Sequence, residues 1–173
     1  MLKKGLLLGL ILLTLLFAFS LLKLDIVKQT TTYESKELKK EKPIGILKID
    51  KIHLKEEIYP INSYSNTIQL HVTILKESIA PTEENSIFFL AAHSGTGKIA
   101  FFEELDELEV EDEITLIYKD YPYHYLVTEI YEEPKNGYIH VSKAEKKQLV
   151  LTTCHPTNKN TQLIINSIEK ESN

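Results

Sequence analysis

The chain has 173 residues, with 20 basic side chains, 25 acidic ones and a single cysteine; every basic one is lysine. That length holds one domain plus an accessory segment. Beyond residue 23 the chain carries 17 Lys against 25 acids, a formal charge of −8, and this excludes nucleic acid as a partner because phosphate binding needs a basic surface.

At the N-terminus Lys3 and Lys4 precede an apolar run, Gly5 to Leu22. Eighteen residues at about 1.5 Å each give roughly 27 Å, close to the hydrocarbon thickness of a bilayer. No small-residue cleavage pattern follows the run, which favours a membrane anchor over a cleaved signal peptide. The run also has no polar face, so it does not read as a core helix. The leading lysines orient it with the tip in the cytoplasm and everything after it outside. Residues 1–23 are thus read as cytoplasmic tip and transmembrane anchor. Residues 24–43 are polar and end at Pro43; they read as an extracellular stalk, partly helical at Ser35–Lys42.

From Ile44 to the end, residues 44–173, the texture is that of a β domain. Strands are expected at Ile44–Ile49, Ile52–Ile58, Thr67–Leu75, Ser86–Ala92, Glu113–Tyr118, Tyr123–Tyr131, Gln148–Thr153 and Gln162–Ile168, with Pro, Gly, Asn and Asp between them. About eight short strands so spaced predict a barrel or sandwich. One or two short helices are expected, at Ala100–Leu108 and as a short turn at Ser142–Lys147, where Ser142 and Glu145 form a capping-box pattern.

Two places carry chemistry. In the first, the apolar run Phe89 to Ala92 ends in His93-Ser94-Gly95-Thr96-Gly97. A His just past a buried strand, on a loop that bends at glycine, suits a cleft, although such a His also serves simply to end a strand. In the second, Val150-Leu151-Thr152-Thr153 ends in the lone Cys154, followed by His155-Pro156. A lone Cys is often a buried filler. At a strand end it reads instead as a presented nucleophile, with a distant His brought close by the fold as proton partner.

Strand–Ala92-His93-Ser94-Gly95, followed some sixty residues later by strand–Leu151-Thr152-Thr153-Cys154, resembles the sortase family. Supporting matches are Ile44 to Ile52, Phe101 to Leu108 and Glu111 to Ile114, so the resemblance covers about residues 43 to 168. It implies a closed barrel, typically of eight strands, with a groove for a C-terminal sorting peptide of the Leu-Pro-x-Thr-Gly type. Cys154 would attack the Thr carbonyl to give a thioacyl enzyme, and His93 would protonate the departing amine. Ala92, Ser94, Thr153 and His155 would line the substrate site. The acceptor would be an amine on a cell-wall precursor or surface protein of a Gram-positive bacterium. The chain departs from the family in two ways. The leading Thr of the Cys signature is Val150, and the Arg expected on the strand after the Cys is missing. Gln162 falls at that place; Lys159 is the other candidate for the role, and a third possibility is that nothing fills it. A neutral Gln donor brings two hydrogen bonds but no charge.

The missing Arg keeps a rival open: a non-catalytic relative that binds sorting peptides or a partner. A papain-like hydrolase is disfavoured because its Cys precedes its His at a helix start. An L,D-transpeptidase is disfavoured because no Ser-His-Gly motif stands just before Cys154. His53, His71, His124 and His140 are expected to face solvent. Glu103 to Glu113 holds eight carboxylates without the spacing of a calcium loop. It reads as a solvated face, and no cofactor is expected; calcium, which some members of the family bind with acidic residues near the groove, is the alternative for this run. No Asp-Pro-aromatic lid motif occurs in 24–43, which disfavours a pilus-polymerising subclass.

Overall fold

A computed structural model describes residues 16–21, 23, 41–143, 145–155, 158 and 160–170. The chain divides into two units, 1–40 and 41–173. In the first, the described residues 16–21 and 23 are helical, with Leu16, Phe17, Phe19 and Leu21 exposed. Among the described residues no helix is long and apolar enough to cross a membrane. Most of the expected anchor and nearly all of the stalk lie outside the described residues.

The second unit is one eight-stranded sheet. Its strands are β1 (Gly45–Ile49), β2 (Leu54–Ile58), β3 (Thr73–Ile74), β4 (Ile87–Ala91), β5 (Glu113–Tyr118), β6 (Tyr121–Pro134), β7 (Gln148–Cys154) and β8 (Thr161–Glu169). The spatial order is β2-β1-β5-β6-β8-β7-β4-β3. A parallel bridge from Ile58 to Val72, just before β3, links the two edges and nearly closes the sheet into a barrel. All neighbouring strands run antiparallel except β4 and β7, which are parallel.

Local chemistry explains the joints. Lys119 and Asp120 both have positive φ, 50° and 65°, and make the two-residue turn between β5 and β6. Gly45 lies where a Cβ would come within 2.2 Å of the Ile117 carbonyl oxygen, so only glycine permits β1 to pair with β5. The expected strand at Thr67–Leu75 shrinks to two residues. The Asn66 side chain takes the place of a ladder partner there: it accepts from Ile74 N at 2.8 Å and donates to Ile74 O at 3.0 Å.

Alternation sends one set of side chains inward. Leu47, Phe88, Leu90, Leu116, Tyr125, Leu149, Leu151, Leu163 and Ile165 belong to the core. The expected helix at Ala100–Leu108 is a run of turns with one 3-10 turn at Leu105–Glu107. Its buried residues, Phe102, Leu105 and Leu108, recur every third position. That is the period of a 3-10 helix, and an α-helix would swing them off the core. Ser142 heads no helix among the described residues; its carbonyl accepts from the Gln148 amide at 2.9 Å.

Candidate active site

β7 is flanked by β4 on one side and β8 on the other, so its side chains are buried from Gln148 to Thr153. Only its last residue, Cys154, is partly open, and its thiol is free. The β7–β8 register sets Cys154 against Gln162, and the β6–β8 register sets Gln162 against Glu133. Directly opposed residues share a face. Cys154, Gln162 and Glu133 therefore stand in a row on the outer face of the barrel, opposite in sense to the core residues Leu151 and Leu163.

The parallel register of β4 and β7 pairs Ala91 with Thr152. Two residues further on, His93 reaches the level of Cys154, and by alternation it follows Phe89 and Ala91 on the outer face. The surrounding bonds hold the two strand ends together. Ala92 N donates to Thr152 O at 3.3 Å, and Thr153 Oγ1 donates to Ala92 O at 2.9 Å. Ser94 Oγ donates to Cys154 O at 2.6 Å, and Phe102 N donates to His93 O at 3.0 Å. No hydrogen bond joins the His93 imidazole to the thiol among the described residues. Catalytic hydrogen bonds often tighten only when substrate binds.

The expected substrate-lining residues separate into two groups. Ala92 and Thr153 are buried and face inward; their part is to fasten β4 to β7, and their side chains do not reach the outer face. Ser94 spends its hydroxyl on the Cys154 carbonyl. His155 follows Thr153 in parity, and its Nε2 lies 2.9 Å from Glu132 Oε1. Glu132 is opposed to the core residue Leu163, so this pair sits on the other side of the sheet from the thiol.

Gln162 also departs from expectation. Its amide nitrogen donates to Tyr138 O at 2.7 Å and to Glu133 Oε1 at 3.2 Å. Both amide hydrogens are thereby used, so none is aimed at the sulfur. Glu133 is buried and also receives His140 Nδ1 at 2.8 Å and His140 N at 3.2 Å. His140, expected to face only solvent, is exposed but tied to this carboxylate. Together these bonds draw the segment after β6 over the outer face. Lys159 lies outside the described residues.

The cation beside the sulfur is one that sequence reasoning missed. Lys135 Nζ stands 2.9 Å from Cys154 Sγ. Lys135 directly follows the last residue of β6, and its backbone N donates to Asn160 O at 2.8 Å. It is the only lysine between Lys119 and Lys143, a faint signal inside what otherwise reads as a Pro-Lys-Asn-Gly turn.

Elsewhere, Lys51 lies 2.9 Å from Glu109 and 2.8 Å from Asp112, occupying part of the acidic run. Among the described residues no cluster of His, Cys, Asp and Glu gathers to hold a metal ion. A shallow cleft lined by Glu84, Asn85, Glu145 and Glu169 with three lysines lies at the ends of β7 and β8 far from Cys154, and it holds no nucleophile.

A nearly closed eight-stranded barrel, with a thiol and an imidazole at parallel strand ends, defines a sortase-type fold. The Sortase domain model matches residues 47–168, and the chain belongs to the sortase family. Similar solved structures include a lid mutant of sortase A from Corynebacterium diphtheriae, at 18% identity and TM-score 0.68, over 79% of this chain and 75% of that one. Sortase C1 from Streptococcus agalactiae matches at 23% identity and TM-score 0.66, over 79% and 72%. Sortase C from Streptococcus pneumoniae matches at 22% identity and TM-score 0.67, over 78% and 70%. At these identities the likeness is one of fold. No curated protein matches the chain.

Proposed function

We propose that this chain is a membrane-anchored cysteine transpeptidase. It cleaves an LPxTG-like C-terminal sorting signal of surface proteins and passes the acyl group to a cell-wall amine. The observation that carries this is the lone thiol of Cys154, partly open on the outer face of a sortase barrel and level with His93. In the first step Cys154 Sγ bonds to the Thr carbonyl carbon. The C–N bond breaks, and His93 gives its proton to the departing amine. In the second, an acceptor amine loses a proton to His93, attacks the thioester and releases the sulfur. Covalent catalysis thus divides one amide exchange into two easier steps.

The anchor reading rests on the apolar run Gly5 to Leu22, and it places the barrel outside the cell. The exposed apolar side chains of Leu16, Phe17, Phe19 and Leu21 are consistent with a lipid-facing helix.

The direct experiment incubates the full chain in detergent with labelled Leu-Pro-x-Thr-Gly peptides and an amine acceptor. Intact-mass spectrometry should find a thioester on Cys154 in the wild type and none in Cys154→Ala. The variant's melting temperature should stay within about 4–8 °C of the wild type, the shift for about 1 kcal/mol in a small domain. Absence of any acyl-enzyme across a panel of sorting peptides would favour the peptide-binding relative instead.

A further inference from the structure

We propose that Lys135 is a catalytic residue: its ammonium, projecting from the turn after β6, is the cationic partner of the Cys154 sulfur and holds it as thiolate. The transpeptidase reading is needed only for the consequence in acyl transfer; the contact with the thiol stands apart from it.

The geometry is direct. Nζ of Lys135 lies 2.9 Å from Sγ, a hydrogen-bond distance with the lysine as donor. Among the described residues this ammonium forms no ion pair with a carboxylate, although Glu132 and Glu133 are its near neighbours in sequence. Both carboxylates are engaged elsewhere. Glu133 receives Gln162 and His140, and Glu132 receives His155 and the Thr161 hydroxyl. In a chain with an acidic surface, a lysine left without a carboxylate and set against the sole thiol is placed for that thiol.

The approach is built into the backbone. Lys135 follows Glu133 in parity, on the face that carries Gln162 and Cys154. Pro134 ends the ladder, and Lys135 N closes onto Asn160 O, which fixes where the side chain starts. The next residues are fastened in turn. Gln162 holds Tyr138 O, and Glu133 holds both backbone and ring of His140. Gln162 is then a positioning residue, acting on the sulfur through the segment that carries Lys135.

A thiolate is the reactive form of cysteine, and a neighbouring cation stabilises it. In the proposed step the thiolate's electron pair forms the C–S bond and the peptide C–N bond breaks. The leaving amine takes its proton from His93. Lys135 donates a hydrogen bond throughout and transfers no proton, so the division of labour is complete: cation from Lys135, proton from His93.

The test uses the full chain in detergent and a neutral alkylating agent, iodoacetamide, at one fixed pH near neutrality. Lys135→Met should slow alkylation of Cys154 by about ten- to a hundredfold, the scale of losing a hydrogen bond to a charged group. Lys135→Arg should restore most of the rate. Acyl-enzyme formation with a sorting peptide should fall and recover in parallel. Gln162→Ala should slow alkylation in the wild-type background and change nothing further in Lys135→Met, because it acts through the lysine. Lys135 is exposed, so the fold of each Lys135 variant is expected to melt as wild type does. Unchanged alkylation in Lys135→Met overturns the proposal, whether or not acyl transfer falls. If alkylation slows as expected but the wild type acylates with no sorting peptide, the thiolate pairing stands and the transpeptidase reading fails. If the wild type turns over peptide and Lys135→Met matches it in both assays, the reading stands and the lysine has no such role.

Discussion

Thr153 sits next to Cys154 in sequence and points the other way. Its hydroxyl is buried and donates to Ala92 O at 2.9 Å, between β4 and β7, the one parallel pair of strands among the described residues. The bond ties the strand that ends in Cys154 to the strand that ends at His93. Replacing it with Val keeps the shape and removes the donor, leaving a buried carbonyl without that partner. Thr153→Val should cost about 1–3 kcal/mol in urea unfolding, the penalty for an unsatisfied buried acceptor. Because the side chain does not reach the outer face, alkylation of Cys154 by a small reagent should change far less than in Lys135→Met. A large loss of thiol reactivity with no loss of stability would show instead that Thr153 touches the site itself.

β6 runs for fourteen residues, and its ladder with β8 extends to Pro134. Its outer face carries Tyr131 and Glu133 beneath the segment that follows. Tyr131 OH donates to His140 O, and Glu133 takes the His140 ring. Burial, with smaller contributions from Glu133 and Glu129, raises the Tyr131 hydroxyl to about 12 from an ordinary 10.0. A folded-state value above the unfolded one means that the unfolded chain ionises first as pH rises. The stability that the neutral hydroxyl contributes is therefore complete below about pH 10 and is lost between about 10 and 12. Tyr131→Phe should lower the melting temperature at pH 8 and flatten its decline between pH 9 and 11.5. The flattening should be partial, because burial also raises Tyr125 and Tyr118. A decline as steep in the variant as in the wild type would mean that this hydroxyl does not hold the segment.

For the molecule as a whole, the proposed anchor gives the barrel and the N-terminal unit separate tasks. The barrel has its own core, drawn from all eight strands. The apolar run, Gly5 to Leu22, has no polar face in its sequence. Deleting residues 1–23 should move the protein from the membrane fraction to the soluble fraction when cells are fractionated. The melting temperature of the barrel should be unchanged within about 2 °C, since loss of 1 kcal/mol moves a domain of this size by more than that. Retention in the membrane fraction after deletion would argue against the anchor.

The sequence by itself determined the strand content. Alternating or unbroken apolar runs, separated by polar, Pro, Gly, Asn or Asp residues, mark the place of each of the eight strands, because burial on one or both faces of a pleated sheet demands that pattern. It also marked the thiol and imidazole as strand-end residues, since the apolar runs before them stop at Ala92 and, two threonines short of the Cys, at Leu151. Local chemistry misled at two places: Thr67–Leu75, where an Asn side chain replaces the ladder, and Ala100–Leu108, where core packing selects a threefold period. The neighbours of the sulfur were decided only in three dimensions. Gln162 stands opposite Cys154 in the ladder, yet its amide is claimed by Tyr138 and Glu133. Lys135, nineteen residues before the cysteine, reads as a turn lysine until β6, β8 and β7 are laid side by side. Periodicity reports which face of an element is buried; which side chain from a neighbouring element meets a given atom depends on strand order and register, and those are fixed by tertiary packing.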